Sequence, residues 1–233
     1  MSMKRQISTR QRLGVALAAA TLTSVALFFV GALRNTSLDF DYLMWNLFLA
    51  WVPLGLMLWL TKILRTNIWS SWPALAVTAA FIGFLPNTFY MITDVIHLQE
   101  IRRVDVIFDA IMFSSFILNA FLLGLISTYL FHMELRKRFS IRTGWMILMT
   151  LILAASFAIY IGRDLRWNTW DILINPASIL FEISDRLMAP LAHPELFSTT
   201  LGFFALVAST YLVFWHGVQA ARAIKVGSTY HLL

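Results

Sequence analysis

Six apolar runs of about twenty residues divide this chain, five of them without Asp, Glu, Lys or Arg and the sixth with Asp109 alone. An α-helix rises ~1.5 Å per residue, so each run matches the roughly 30 Å of bilayer hydrocarbon. Hydrocarbon offers no water to backbone N–H and C=O groups, which restricts spanning segments to helices and closed barrels. The runs are continuously apolar rather than alternating, which selects helices. Composition agrees: 59% of the 233 residues are hydrophobic and 13% charged, against about a quarter charged in an ordinary soluble domain. The expected fold is an all-α, polytopic integral membrane bundle of about six transmembrane helices, forming a single membrane domain over residues 1–233.

The spans are placed near residues 13–33, 42–61, 72–90, 106–131, 144–162 and 196–221. The first follows a basic start, Lys4, Arg5, Arg10 and Arg12. It exceeds the usual signal-peptide core of about 7 to 15 residues and lacks a clear small-x-small cleavage site, so it is read as a retained helix. Within the second run Asn46 and Pro53 need partners from neighbouring helices, while Trp45 and Trp59 suit the two interfacial belts. Pro86 interrupts the third run, where its ring and missing N–H should kink or break the helix. Residues 177–189 separate polar Ser178, Glu182 and Asp185 from apolar Leu180, Ile183 and Leu187. That pattern predicts an interfacial helix before the last span.

Charge sets the expected orientation. With six crossings, Lys4, Arg5, Arg10, Arg12, Lys62, Arg65, Arg136, Lys137, Arg138, Arg142, Arg222 and Lys225 fall on one side, twelve of the eighteen basic residues. The lysine and arginine bias makes that side cytoplasmic and places both termini inside a cell membrane. The net charge of +6 is thereby explained by topology. It forms no basic stripe of the kind that follows a phosphate backbone, so nucleic acid is not an expected partner. The absence of cysteine excludes disulfides, thiolate nucleophiles and cysteine metal sites.

Chemistry-bearing residues gather at the opposite, outer end. After Pro86, a continued α-helix would align Asn87, Tyr90, Asp94 and His97 on one face. Asp94 and His97 are the candidate acid/base pair. With Asp109 they are also the candidate ligands of a divalent ion, although no fixed ligand motif such as HExxH is present and no cofactor is called for. A second cluster holds Arg163, Arg166, Asn168, Asp171 and Asn175. Two guanidiniums near a membrane surface suit an anionic lipid headgroup or a lipid-linked substrate. The same groups can equally cap helix ends and pair with one another. Trp167 and Trp170 are read as belt anchors, His132 as a solvated residue beside the basic loop, and His193 as a further residue at the outer end.

Leu85-Pro86-Asn87 with Tyr90, Thr93-Asp94 and His97-Leu98, then Gly162-Arg163, Arg166-Trp167-Asn168, Trp170-Asp171 and Asn175-Pro176, resembles the bacterial membrane-protein family filed as domain of unknown function 1361. Asn46 to Pro53 is similar to an early motif of that family. The resemblance implies a polytopic bacterial membrane protein and supplies neither activity nor substrate; membrane lipids are the expected partners of such spans. Three readings stay open: a membrane protein with a polar binding or structural site at its outer end, a membrane-embedded hydrolase or transferase acting on a lipid headgroup or lipid-linked substrate, and a small transporter. Few strongly polar side chains lie between the two ends, which counts against transport.

Overall fold

The structure is a computed structural model that describes residues 9–35, 40–100, 106–164, 174–189 and 192–230. The side chains of His97 to Glu100, Asp164, Ile179, Leu187 and residues 225–230 lie outside the description, as do those of Thr9, Arg10 and Asn35. In chain order the helices are α1 (Thr9–Asn35), α2 (Tyr42–Ile63), α3 (Trp72–Phe84), α4 (Pro86–Tyr90), a 3₁₀ helix (Met91–Glu100), α5 (Val106–Arg136), α6 (Ile141–Asp164), α7 (Pro176–Met188) and α8 (Pro194–Tyr230). Six helical stretches are long and apolar enough to cross a membrane, the third running from Trp72 through α3, α4 and into the 3₁₀ segment. Between 17% and 44% of each span's apolar window is buried within the protein, which leaves more than half of every window for lipid.

Successive spans run in opposite directions. One end of the bundle gathers Asn46, Asp94, Asp109, Arg163 and Glu195; the other gathers Leu64, Trp69, His132, Arg138, Trp145 and Trp215. Because α1 and α8 both have their outer turns at the second end, the first and last described residues lie there together with the basic clusters. Trp45 is exposed at the Asp94 end, and Trp59 and Trp72 at the basic end, the two levels where an amphipathic indole is favoured.

α5 is the central element, buried at intervals from Asp109 to Leu135. It packs on α1 and α2, α2 packs on α3, and α6 pairs with α8. Two apolar cores meet along it. One, built on Leu17, Phe28, Leu47, Met91, Phe113 and Phe116, joins α1, α2 and α5 at the acidic end. The other, built on Leu60, Phe81, Phe89, Leu148, Ile152 and Tyr211, joins α2 to α6 and α8. α4 wedges between α2, α5 and α6. Its close approach depends on Gly124 of α5, where a Cβ would collide with the Thr88 hydroxyl and lie 2.7 and 2.8 Å from ring atoms of Phe89.

Pro86 interrupts the hydrogen-bond ladder without reversing the backbone. Leu85 keeps right-handed helical angles, φ −55° and ψ −41°, its N–H donates to Phe81 O, and the Thr88 N–H donates to Leu85 O at 3.1 Å. Past Tyr90 the coil tightens to 3₁₀ for ten residues, well beyond the three or four that are usual. Three residues per turn replace 3.6, so the expected stripe of Asn87, Tyr90, Asp94 and His97 is broken between Tyr90 and Asp94. Asp94 shares a face with the buried Met91 and, by the same repeat, with position 97.

Candidate functional site

At the acidic end two carboxylates are withdrawn from solvent, Asp94 at 2% and Asp109 at 1% exposure. The Asn46 amide on α2 donates to Asp94 Oδ2 at 3.2 Å. Asp109 stands in the first turn of α5, where the helix dipole favours negative charge, and α5 packs against the 3₁₀ segment that carries Asp94. The Arg34 guanidinium, at the end of α1, lies 4.9 Å above the Phe108 ring, adjacent in sequence to Asp109.

The remaining predicted residues are distributed as follows. Asn87 donates its amide to Phe84 O at 3.1 Å, and Tyr90 packs half-buried on the larger core. Arg163 is half-buried near the end of α6. Asn175 is exposed and precedes α7, with no side-chain cap bond. Arg166, Asn168 and Asp171 lie outside the described residues, as does the His97 side chain. Among the described residues no three His, Asp or Glu side chains converge as metal ligands.

A network at the same end centres on Arg186 of α7. Its guanidinium donates to the Tyr160 hydroxyl of α6 at 3.0 Å, to Glu182 at 3.3 Å and to Glu195 of α8 at 3.5 Å. Burial works against the Arg186 charge, but the hydrogen bonds to Glu182 and Tyr160 outweigh it and hold the group above its ordinary pKa. His193 Nδ1 stands 3.1 Å from Glu195 Oε1. Three helices are tied here. The sequence reading places Glu182 on a polar face and His193 at this end, yet gives Arg186 no role; the spacing of four from Glu182 to Arg186 is the signal that points to it.

At the opposite end His132 departs from the expectation of a solvated residue. It is fully buried, its ring centroid 4.5 Å from that of Trp145 and 4.4 Å from the nearer Trp215 centroid. Nδ1 lies 2.9 Å from the Tyr211 hydroxyl. The reason is that α5 continues to Arg136, one turn beyond the predicted stop, while α6 and α8 bring their aromatics onto that turn. Glu134, also buried, is engaged by Lys137 and by Arg138 at 2.8 Å. Arg138 extends over Trp69 and donates to Leu64 O at 3.4 Å.

Between the ends, three polar side chains bond to one another. Asn119 of α5 and Trp51 of α2 donate to the Thr21 hydroxyl of α1 at 3.0 and 3.1 Å, and Thr21 donates to Leu17 O. Asn46, for which an interhelical bond was the preferred expectation, makes one.

Apolar helices of spanning length, with polar groups gathered at the ends and tied to each other in the middle, define a polytopic helical membrane protein. Residues 45–211 match the family described as "Protein of unknown function (DUF1361)". The chain belongs to that family, as its motifs around Pro86 and Arg163 suggest. No curated protein and no solved structure matches it.

Proposed function

We propose that this is a multi-pass protein of the bacterial inner membrane, with both termini cytoplasmic, whose Asp94 end faces outward and forms a polar site for an anionic lipid headgroup or lipid-linked substrate. The observation that carries the reading is the gathering of ionisable groups, buried Asp94 and Asp109 and half-buried Arg163, at one end of apolar spans, with Asn46 reaching from α2 to hold Asp94. Ionisable groups are costly in and beside hydrocarbon, and their presence there marks a site or a structural pair. Asp94 and Asp109 set the frame of the site, and Arg163 supplies the cationic contact, with Arg166, outside the described residues, expected to add a second.

The enzyme reading rests on the same Asp94. A carboxylate fixed by an amide donor and withdrawn from water is suited to act with His97 on a headgroup. Transport is disfavoured because Asn119, Trp51 and Thr21 bond to each other rather than lining a path.

Native mass spectrometry of the full chain released from lipid nanodiscs tests the site. Wild type is expected to retain an anionic lipid or lipid-linked phosphate that Asp94→Asn and Arg163→Ala lose. A wild type that emerges bare, or an Arg163→Ala variant that retains the same mass, overturns the binding site. Hydrolysis or transfer of that lipid, abolished in Asp94→Asn, would decide for the enzyme. A periplasmic reporter active when fused after Lys225 would reverse the orientation.

A further inference from the structure

We propose that the basic end of the bundle carries a separate site for the headgroup of an anionic phospholipid, formed by Arg136 and Arg222 over the paired rings of Trp215 and Tyr129. α5 and α8 run in the same direction here, and each presents an aromatic residue with an arginine two turns later: Tyr129 and Arg136 on α5, Trp215 and Arg222 on α8. The contacts cross between helices. The Arg136 guanidinium lies 5.1 Å above the nearer Trp215 ring, that of Arg222 lies 5.7 Å above Tyr129, and the two aromatic systems are 5.6 Å apart. Helical side chains lean toward the helix N-terminus, so both arginines reach back onto the membrane boundary rather than out into water.

Arg136 and Arg222 are both exposed, and so open to an anion from outside the protein. Among the described residues of this end the acid is Glu134, which Lys137 and Arg138 already engage; no carboxylate pairs with Arg136 or Arg222. A phosphodiester supplies that anion, since its two unesterified oxygens accept from the two guanidinium forks. The nearby Lys62, Arg65 and Arg142 raise the local positive potential, which favours a headgroup of net negative charge over a zwitterionic one. Exposed Leu212, one turn before Trp215 on the membrane side, offers an apolar surface for the acyl chains. The phosphate therefore arrives on a lipid.

The test compares the full-length protein in nanodiscs of phosphatidylcholine with and without phosphatidylglycerol, reading retained lipid by native mass spectrometry and the melting temperature. Phosphatidylglycerol is expected to remain bound to wild type and to raise its Tm. Binding should weaken roughly thirtyfold in the Arg136→Gln/Arg222→Gln variant. Lys62→Gln/Arg65→Gln removes the same charge nearby and should retain most of the lipid. Equal retention by wild type and Arg136→Gln/Arg222→Gln overturns the proposal, as does an equal loss in the Lys62→Gln/Arg65→Gln control. Displacement of the lipid by soluble glycerophosphate at comparable concentration would assign the site to free phosphate esters instead. Asp94→Asn and Arg163→Ala should lose the lipid of the other end and keep the phosphatidylglycerol held here, and Arg136→Gln/Arg222→Gln the reverse, so the number of bound lipids judges the two ends independently.

Discussion

Asn46 and Gly124 are the residues whose replacement speaks most directly to this arrangement. Removing the Asn46 amide takes a donor from a carboxylate that water does not reach, a change that costs about 1–3 kcal/mol. Asn46→Ala should therefore lower the melting temperature in detergent, and Asn46→Asp should lower it further by setting two carboxylates together. An unchanged melting point for both would mean that the hydrogen bond contributes nothing. Gly124→Ala adds one methyl where Thr88 and Phe89 already stand. Thr88 is held in place by its own bond to Leu85 O at 2.7 Å, so the strain falls on packing, about 1–3 kcal/mol. Adding Thr88→Ala to that variant should recover part of the loss, which a double-mutant cycle measures. A single sequence reveals that Asn46 needs a partner, since an amide within an apolar run has no water. It does not reveal Asp94, forty-eight positions away, because that pairing depends on how α2 meets the 3₁₀ segment. His132 was misread for a similar reason: its neighbours in sequence are charged, while its neighbours in space are Trp145, Tyr211 and Trp215.

At the scale of elements, hydrophobic runs locate all six spans because the bilayer imposes one length and one solvent on them. Their ends are less legible. α5 and α8 extend past the apolar limit as far as Arg136 and Tyr230, and in α5 the i,i+3 and i,i+4 pairs from Glu134 support the added turn. The change from α to 3₁₀ after Tyr90 carries no sequence signature, since Met91 to Val95 would suit either coil. α7 is a helix where one is expected before the last span, and its attachment through Arg186 leads to a further prediction. Arg186→Ala severs the bonds to Tyr160 and Glu195, so amide exchange across Pro176–Met188 should accelerate while exchange in α6 stays slow. Equal protection of α7 in wild type and variant would show that its apolar face alone holds it. Arg186→Lys keeps the charge but not the fork geometry and should fall between the two.

For the whole molecule, the Thr21 hydroxyl joins α1, α2 and α5 through one oxygen. Thr21→Val removes the shared acceptor and strands two donors; interhelical bonds of this kind in membranes contribute about 0.6 kcal/mol each and at most about 1.7. The loss for Thr21→Val should be smaller once Asn119→Ala is present, because one donor has already gone. Full additivity in equilibrium unfolding from detergent would contradict a shared acceptor. The division into an acidic end and a basic end is readable from charge alone, whereas the chemistry of either end depends on helices distant in sequence.

α1 finds its main partner in α5 rather than in the helix that follows it, and that has a consequence for the order of events at the ribosome. Seventy residues separate Asn35 from Val106, so at ordinary synthesis rates the first helix waits on the order of ten seconds before its packing surface exists. During that interval α2, through Trp51, is the neighbour it has, and lipid must solvate the face that α5 later covers. A helix whose apolar window is only 17% buried even in the finished protein is suited to such a wait, and the bundle closes around α5 from the outside inward, with its earliest helix among the last to be seated.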